Sequence, residues 1–424
     1  MTINHTRKVK CMLTIIVLLG MSFLFSLNAD AKIKLTLATW TGGIETTYIE
    51  TIVGEFMKAN PNIEVEVVLA HGGPWGRDKY LVMWSGGTVP DLLLLNSGNF
   101  ENFANRGMLY PLNDFVKNDP DFDLDKYFPV AIEGSSLFGT LYGLPYDVSN
   151  HVPYYNKDLF DQQGLTEPGD WTWDDLIAKA KKLTKDIDGD GLNDVFGLGI
   201  SAHEWYWDSI KSQFDAPLFN EDGTEVYADS QAFVDFMTWY YDLTLVECVA
   251  PYDAWGGDWF IDQRVAIATF GPWYRPGLEA VSFSYDVAVP AKGTRRGTVY
   301  YVDQFAIASS TEYPQEAWEL LKFLTGEEGW DLKMSVGYGG RAIPPLREYG
   351  MSNAFLDYWG VSNHIFLEAL EYSDRSVAGL PSGVGREFLD LWWPRMWEAW
   401  VTPQPLRPIL EDIQTTAIRE LGLK

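Results

Sequence analysis

The chain of 424 residues is long enough for two or three domains, and its formal net charge of −27 makes nucleic acid and other polyanions poor partners. Of its two cysteines, Cys11 lies in an apolar leader and Cys248 is left alone, so the exported chain has no intrachain disulfide and depends on its hydrophobic core. Eighteen tryptophans are an unusual number, and many lie beside Gly, Pro or charged residues, as in "WGGDW", "EWYW" and "LWWPRMWEAW".

The first 31 residues have the pattern of a signal peptide. Basic residues precede an apolar run from Cys11 to Leu27, and Ala29 and Ala31 supply the small residues of a cleavage site. We therefore predict cleavage after Ala31 and a periplasmic location. The leader is not a membrane anchor in this interpretation, because no other long apolar run follows it.

A strand–helix–strand unit is predicted next. Residues 33–40 alternate apolar and polar side chains, apolar residues recur with helical spacing from Ile44 to Met57, and residues 63–70 form a second alternating run. Parallel strands of such a unit bind ligands outside their carboxyl ends. Trp40 and Glu45 follow the first strand, and Trp75 follows the second.

Strands and helices continue to alternate along the chain. Residues 92–95 form a predicted buried strand, which the polar loop from Asn96 to Asn99 follows. Thr172 and Asp175 form a predicted capping box at the start of a helix. Further helices are predicted in "QAFVDFMTWYYDLT", "YPQEAWELLKFLTG" and "PLRPILEDIQTTAIRELGLK", and strands in "RVAIATF", "SYDVAVP" and "YVDQFAIAS". This alternation predicts a compact α/β protein with two lobes.

The stretch "TKDIDGDGLNDVFGL" concentrates carboxylates in one short loop with the spacing of a calcium-binding loop. The predicted ligands are Asp186, Asp188, Asp190, Asp194 and the carbonyl oxygen of Leu192. Gly197 occupies the position of the usual bidentate Glu, and the residues after the loop favour a strand rather than a second helix. We predict a structural Ca²⁺ site; the alternative is a solvated turn.

Catalytic motifs are scarce in the sequence. The five His residues are scattered, and the chain contains no HExxH, Cys–His, GxSxG or Walker motif and no GxGxxG after the first strand. Glu45, Asp147 and Asp303 leave a glycosidase pair open, because sequence spacing does not fix the distance between carboxyl groups. We expect a protein that is not an enzyme.

Aromatic and polar residues instead combine as sugar binding requires. The apolar faces of a sugar ring stack on Trp or Tyr, and its hydroxyl groups hydrogen-bond to charged or amide side chains. Such combinations recur in predicted loops: Trp40 with Glu45, Trp75 with Arg77, Tyr146 with Asp147, Trp255 with Asp258 and Trp259, Trp273 with Arg275, and Tyr301 with Asp303. For any one of these rings, packing in the core is the alternative.

From its first strand to its last helix, the chain resembles the family-1 extracellular solute-binding proteins, the maltose-binding-protein-like receptors of ABC sugar importers. The resemblance is carried, in family order, by "SGGTVPDLLLL", "LYGLPYDVSNHVPYYNKDLF", "WTWDDLIAKAKKL", "EAWELLKFLTGEEGW" and "GGRAIPPLRE". It implies a periplasmic-binding-protein-like type II fold, in which two α/β lobes close about a hinge on a ligand. We expect an N-terminal lobe of residues 32–144 and about 303–345, and a C-terminal lobe of residues 145–302 and about 346–424.

The resemblance also implies site residues and a role for the acidic loop. "YGLPYDVSN", "GPWYRPGL" and "GGRAIPP" match segments that reach the cleft or the hinge in the family, which makes Tyr146, Asp147, Trp273 and Arg341 candidates. Loops that vary between relatives contribute the other candidates: Trp40, Glu45, Asn96, Trp205, Trp207, Trp255, Trp259 and Asp303. An acidic DxDxDG loop recurs in relatives, in agreement with a bracing Ca²⁺.

The leading hypothesis is a monomeric, non-catalytic component of an ABC importer that captures a neutral carbohydrate and delivers it to membrane permease subunits. Several aromatic platforms favour an oligosaccharide over a monosaccharide. One alternative is a binding protein for another solute, either glycerol-phosphate-like or ferric iron held by phenolates of Tyr240–Tyr241 or Tyr300–Tyr301. A secreted carbohydrate-active enzyme is the other.

Overall fold

The computed structural model describes residues 32–73, 76–251, 258–335 and 341–424. The predicted signal peptide, Trp75 and Trp255 lie outside these residues, so what was inferred for them stays a prediction. Among the described residues, no helix has the combination of length and apolar character that crossing a membrane requires.

Strands of the described residues form two large sheets and one small hairpin. The strands are β1 (Ile33–Thr39), β2 (Ile63–Leu69), β3 (Leu92–Leu95), β4 (Ser136–Leu137), β5 (Thr140–Leu141), β6 (Gly143–Asn150), β7 (Val152–Asn156), β8 (Phe196–Gly199), β9 (Val265–Phe270), β10 (Tyr285–Val287), β11 (Thr298–Ile307) and β12 (Ser373–Arg375).

Helices pack against the large sheets in an α/β architecture. They are α1 (Ile44–Ala59), α2 (Arg77–Ser85), α3 (Asn99–Asn105), α4 (Asn113–Asn118), α5 (Pro129–Gly134), α6 (Lys157–Gln162), α7 (Trp173–Leu183), α8 (Glu204–Lys211), α9 (Gln231–Leu245), α10 (Pro314–Thr325), α11 (Glu327–Ser335), α12 (Arg347–Gly350), α13 (Asn353–Leu356), α14 (His364–Leu370), α15 (Gly385–Val401) and α16 (Leu406–Leu421). Short 3₁₀ helices span Leu124–Lys126, Pro272–Leu278 and Tyr358–Gly360.

The larger sheet, with its helices, forms what we call the first lobe. Its strand order is β12-β11-β3-β1-β2, and β6 pairs along β11. Strand β1 is parallel to β2 and β3, which confirms the predicted strand–helix–strand unit, whereas β11 is antiparallel to both β3 and β6. The carboxyl ends of β1 and β3 therefore meet at one edge of the sheet.

The smaller sheet, with its helices, forms the second lobe. Its strand order is β10-β7-β9-β8, with β8 parallel to β9 and β7 antiparallel to both of its neighbours. His151 alone separates β6 of the first lobe from β7 of the second. The chain thus crosses from the first lobe to the second within one extended segment. This segment positions the two sheets.

Both lobes contain hydrophobic cores, and that of the second lobe extends onto strands β6 and β11. The first-lobe core includes Leu37, Leu92 and Trp318, which are at most 1% exposed. The second-lobe core is rich in aromatic rings, among them Trp207 and Trp392, whose ring centroids are 4.7 Å apart. These buried rings account for part of the high tryptophan content, and the limits of the two lobes along the chain stay a prediction.

The capping box at the start of α7 forms as predicted. The Thr172 hydroxyl accepts a hydrogen bond from the Asp175 amide at 3.2 Å, and the Asp175 carboxylate accepts one from the Thr172 amide at 3.0 Å. This reciprocal pair satisfies two backbone groups at the helix end. Helix α7 ends at Leu183, so the acidic loop begins directly after it.

Polar contacts join the two lobes beside the cavity described below. The Arg77 guanidinium on α2 lies 2.9 Å from the Asp390 carboxylate on α15. The Asn102 amide on α3 donates a hydrogen bond of 2.6 Å to Glu387 on α15. Helices α2 and α3 of the first lobe therefore contact α15 of the second.

Candidate functional site

A cavity of about 320 Å³ lies between the lobes, outside the carboxyl ends of β1 and β3. This is the position in which an open α/β sheet binds its ligands. Eight of the predicted site residues line it: Trp40, Glu45, Asn96, Asp147, Trp205, Trp273, Asp303 and Arg341.

The first-lobe wall is built at the ends of β1 and β3. Trp40 follows β1, and Glu45 lies in the first turn of α1, where its carboxylate is 3.5 Å from the Arg341 guanidinium. The Ser97 hydroxyl accepts a hydrogen bond from the Val302 amide at 3.1 Å and donates one to the Val302 carbonyl at 3.2 Å. The loop after β3 is thereby held against β11.

The floor of the cavity carries two carboxyl groups on neighbouring strands. Asp147 on β6 lies directly opposite Asp303 on β11 in the antiparallel ladder. Burial, reinforced by the negative charges of Asp147 and Glu45, raises the pKa of Asp303 well above its ordinary value. The protonated form of the Asp303 carboxyl therefore persists to a higher pH than that of a free aspartate.

A buried lysine lies behind this floor. The Lys333 ammonium is 3.6 Å from the centroid of the Tyr146 ring and 3.3 Å from the Tyr146 carbonyl oxygen. Burial lowers the pKa of Lys333 to about 7, although the charges of Asp147 and Glu45 oppose this change. The pKa of the Asp303 carboxyl is thus raised and that of the Lys333 ammonium is lowered, so the two pKa values lie closer together than in the free side chains.

Aromatic side chains from the second lobe, from strand β11 and from the crossing segment form another wall of the cavity. The ring centroids of Trp205 and Trp273 are 5.2 Å apart, and those of His151 and Tyr301 are 5.0 Å apart. The His151 Nδ1 lies 2.9 Å from the Trp205 carbonyl oxygen, which ties the two pairs together. Burial lowers the pKa of His151 to about 4, so this ring is neutral at pH 7.

A series of charged side chains connects the aromatic wall to the first lobe. The Arg386 guanidinium is 3.4 Å from the Glu204 carboxylate and 3.8 Å from that of Asp390, which also binds Arg77. Burial raises the pKa of Glu204, and the charge of Arg386 opposes it. Alternating charges thus run from the cavity wall to helix α2.

Three polar atoms at the cavity wall have no hydrogen-bond partner among the described residues. They are the indole nitrogen of Trp40, the side-chain oxygen of Asn96 and the hydroxyl of Tyr301. Each unsatisfied buried polar atom costs about 1–3 kcal/mol. A polar ligand or ordered water that supplies partners here would be favoured.

Two predicted site residues lie in the cores instead. Tyr146 precedes Asp147 on β6, at the point where the pairing with β11 shifts register, and it packs on Phe305 at a ring distance of 5.0 Å. Trp205 and Trp207 are two residues apart on α8, which places them on different sides of the helix. Trp205 faces the cavity, and Trp207 is fully buried in the core.

Trp259 is the third predicted site residue that the structure places in a core. It is 7% exposed, and the Arg264 guanidinium lies 5.7 Å from its ring centroid. Trp75 and Trp255 lie outside the described residues, so the structure assigns them no position.

Several lining residues were missed by the sequence analysis. Ser149 follows Asp147 at an interval of two residues on β6, and His151 comes directly after that strand, so alternation along this segment contains the signal that places them at one cavity. Glu204 and Arg386 come from helices distant in sequence, and no local pattern brings them to the cavity.

The tyrosines proposed for iron do not converge. Tyr240, Tyr241 and Tyr300 are at most 4% exposed, and their rings are parts of the second-lobe core. Tyr301 alone among the four lines the cavity. This arrangement gives the iron alternative no pair of phenolates at one site.

Backbone amides hold the acidic loop between α7 and β8. Both carboxylate oxygens of Asp186 accept hydrogen bonds, from the amides of Gly189 at 2.6 Å and Gly191 at 2.8 Å. Asp194 accepts one from the amide of Ile187 at 2.7 Å. The local N–H groups thus offset part of the repulsion between carboxylates.

The geometry of the loop fits the predicted metal ligands in part. One carboxylate oxygen from each of Asp186, Asp188 and Asp194 lies within 4.8 Å of the other two. The Asp190 carboxylate accepts a hydrogen bond from the Leu192 amide at 2.8 Å and is outside this group. At position 12, a Cβ on Gly197 would lie 2.2 Å from the Ala180 Cα, so the contact between β8 and α7 requires glycine.

Two α/β lobes around a cavity at their strand ends define the class of two-lobed solute-binding proteins. The profile of the family described as bacterial extracellular solute-binding protein matches residues 42–329, more than half of the chain. The chain belongs to this family, whose members are extracellular binding proteins. It is also 30% identical over 385 residues to the arabinooligosaccharide-binding protein of Bacillus subtilis, which covers 86% of each chain.

Solved structures confirm the predicted type II fold. An ABC substrate-binding protein from Listeria monocytogenes in complex with cycloalternan has a TM-score of 0.81 at 24% identity, covering 93% of this chain and 100% of that one. The maltose/maltodextrin-binding domain from Bdellovibrio bacteriovorus bound to maltotriose has a TM-score of 0.76 at 17% identity, covering 92% and 100%.

Proposed function

We propose that this protein is the substrate-binding component of an ABC importer and captures an oligosaccharide in the cavity between its lobes. The observation that carries the proposal is the convergence of flat rings from both lobes, Trp40, Trp205 and Trp273, on one cavity with hydrogen-bonding carboxyl and guanidinium groups. The similar proteins support the proposal, since one is named as an arabinooligosaccharide-binding protein and two solved structures contain cycloalternan or maltotriose.

The proposal includes the context that import requires. The chain is exported, loses its signal peptide after Ala31 and works as a monomer in the periplasm. Closure of the lobes on the sugar presents a surface that permease subunits recognise. The contacts of α15 with α2 and α3 support this part, because they lie at the boundary where closure brings the lobes together.

Calorimetry with a panel of neutral mono- and oligosaccharides tests the proposal. We expect saturable binding of at least one oligosaccharide, with weaker or no binding of its monosaccharide. The Trp273→Ala variant serves as the site control and lowers the affinity. Silence across the whole panel would overturn carbohydrate capture.

A glycosidase is the second candidate, because Glu45, Asp147 and Asp303 line the same cavity. We favour binding without catalysis, since family membership is that of binding proteins and the Glu45 carboxylate is engaged by Arg341. Mass spectrometry of the glycan recovered after long incubation distinguishes the two. An unchanged glycan supports the binding protein, and shortened products would establish the enzyme.

We also propose that the acidic loop binds Ca²⁺ and braces the junction between α7 and β8. Asp186, Asp188 and Asp194 would hold the ion, because their converging carboxylate oxygens are the ligands that Ca²⁺ prefers. The loop is on the surface and provides no adjacent nucleophile or base, so the role of the ion is structural.

A further inference from the structure

The tryptophans of helix α15 divide between two faces of the helix. Trp392 and Trp400 are fully buried in the second-lobe core, whereas Trp393 and Trp397 are half-buried. The two half-buried residues are four positions apart, so they are neighbours on the helix surface, and their ring centroids are 5.3 Å apart. Each of them packs in part on the core and leaves part of its ring to solvent.

This half-buried pair lies on a stripe of α15 that begins at the cavity. The members of the stripe follow one another at intervals of four, three and four residues, as one helix face requires: Arg386, Asp390, Trp393 and Trp397. Arg386 lines the cavity, and the other three are outside its lining. At a rise of about 1.5 Å per residue, the stripe continues for roughly 16 Å along the helix after Arg386.

Aromatic rings also connect the cavity wall to this stripe. The ring centroid of His203 is 4.5 Å from that of Trp205 and 5.2 Å from that of Trp393. Trp205 in turn contacts Trp273 at 5.2 Å, so rings follow one another without a break from the cavity to Trp397. We call this series the aromatic track: Trp273, Trp205, His203, Trp393 and Trp397.

The track is uncharged and has polar groups beside it. Burial lowers the pKa of His203 to about 3, and the charge of Arg386 acts in the same direction, so the His203 ring is neutral at pH 7. The Asp390 side chain is 43% exposed, and its carboxylate lies 2.9 Å from the guanidinium of Arg77 on the first lobe. Flat rings and hydrogen-bonding groups thus occur together outside the cavity, as sugar binding requires.

The cavity itself is small for a long glycan. Its volume of about 320 Å³ is near the lower end of the range of about 300–1,000 Å³ that small-molecule sites occupy. A linear glycan whose first units fill such a cavity has its remaining units outside. The aromatic track is the surface that continues the cavity wall in that direction.

Resting on the proposed carbohydrate function, we propose that Trp393 and Trp397 form an outer binding site for the units of a linear oligosaccharide that extend beyond the cavity. The inner units lie between the lobes, and the outer units stack on the solvent-exposed parts of the two rings. Asp390 accepts hydrogen bonds from their hydroxyl groups, and Arg77 donates them. Affinity therefore rises with the length of the glycan.

Packing of the second-lobe core is the other role open to the pair, since both rings also contact that core. The two roles differ in what the loss of a ring changes. A ring that only supports the fold affects the binding of short and long oligosaccharides by the same factor. A ring of an outer site affects only those long enough to reach it.

Calorimetry with oligosaccharides of increasing length tests the proposal. Malto-, cello- and arabino-oligosaccharides, from disaccharide to hexasaccharide, are titrated into the wild type and into Trp397→Ala. In a series that binds, both proteins should have the same affinity for the shortest member that binds. The wild type should bind the hexasaccharide about fivefold more tightly than the variant does. Trp397→Leu keeps an apolar side chain against the core but has no flat ring, and it should give the same result.

Trp239→Ala is the matched control. Trp239 is half-buried in the same lobe, on α9, and its ring contacts Trp173 at 5.0 Å and Phe214 at 4.7 Å, neither of which belongs to the track. This variant should change the affinities for short and long members by the same factor. Circular dichroism and melting curves establish the folding and the stability of each variant.

The outcomes separate this proposal from the one on which it rests. If the wild type and the Trp397 variants bind the hexasaccharide equally, the outer site is wrong and carbohydrate capture stands. If the variants weaken short and long members by the same factor, or if both fail to fold, the pair is structural and the outer site is again wrong. Silence from every series would overturn carbohydrate capture and this inference together.

Discussion

The cavity floor and the acidic loop hold clustered carboxylates by different means. In the loop, Asp186 and Asp194 are exposed and accept hydrogen bonds from the amides of their own turn. On the floor, Asp147 and Asp303 come from strands that are distant in sequence and face each other across a ladder. Burial there raises the pKa of Asp303, whereas amides and solvent surround the carboxylates of the loop.

This difference shows which kind of ligand each cluster fits. An exposed loop with converging oxygens suits a hard cation that organises a local turn. A largely buried pair beside aromatic rings suits an organic ligand whose hydroxyl groups form hydrogen bonds with it. The first arrangement is structural and the second is suited to capture and release.

The largest expected effect follows from adding the missing loop ligand. Gly197→Glu restores the usual last residue of a calcium loop, but its Cβ would lie 2.2 Å from the Ala180 Cα. We expect the free energy of unfolding to fall by about 3 kcal/mol or more, because α7 and β8 must separate. Urea denaturation measures this change.

Gly169→Glu is the control for that variant, since no atom lies within 4 Å of its Cβ position. It should change stability by no more than about 0.5 kcal/mol. A Gly197→Glu protein as stable as the wild type, with tighter Ca²⁺ binding, would contradict the packing argument.

Ca²⁺ binding at the acidic loop should change the free energy of unfolding by a smaller amount than Gly197→Glu does. At a Ca²⁺ concentration about 100 times Kd, the stability gained is about 2.7 kcal/mol, and chelator should remove it. Differential scanning calorimetry with Ca²⁺ and with chelator gives the shift in Tm. Asp188→Ala should abolish the shift, and an equal shift in that variant would exclude the loop as the site.

The free energy of unfolding should depend on pH because of Asp303 on the cavity floor. The folded-state pKa of Asp303 is raised, so between the unfolded value of about 3.9 and the folded value the native state binds the extra proton. This contribution to stability is fully present below the unfolded pKa and is lost as the pH rises through the folded pKa. Its slope approaches about 1.4 kcal/mol per pH unit.

Asp303→Asn removes this slope. Relative to wild type, the variant should gain stability as the pH rises from about 4 toward 7, measured by urea denaturation at several pH values. A difference between the two proteins that is constant over this range would show that Asp303 ionises normally.

The smallest effect expected is on ligand affinity at the aromatic wall. Trp205→Ala removes one stacking face but keeps the backbone carbonyl that contacts His151. Sugar affinity should fall by about 1 kcal/mol, which is roughly fivefold in Kd. Trp205→Phe should restore part of the loss, and the calcium-dependent shift in Tm should remain.

If Trp205→Ala also lost the calcium-dependent shift in Tm, the cavity and the acidic loop would not be independent sites. Unchanged sugar affinity would instead remove Trp205 from the binding wall. Calorimetry and calcium-dependent melting on the same preparation resolve the two results.

Local patterns predicted most of the fold. The strand–helix–strand unit, the capping box of Thr172 and Asp175, and the strand after the acidic loop all form where their spacing indicates. They depend on contacts between residues close in sequence, such as side chains at helix ends and alternation along a strand.

The site was predictable only where such patterns reach it. Trp40 and Asn96 follow strands whose carboxyl ends meet, so their position at the cavity follows from the parallel sheet. Trp207 was misplaced because the "EWYW" run does not show which side of helix α8 faces the core. Arg386 was missed because it reaches the cavity from α15, far along the chain.

The sequence by itself determined the elements, the two-lobed class and the presence of an acidic loop, because each depends on short-range spacing and composition. Only the tertiary structure decided that Asp147 and Asp303 face each other, that Glu204 and Arg386 pair at the same cavity, and that position 197 has no room for a side chain. Those relations depend on strand register and on the packing of distant segments, which are fixed by the whole core rather than by neighbouring residues.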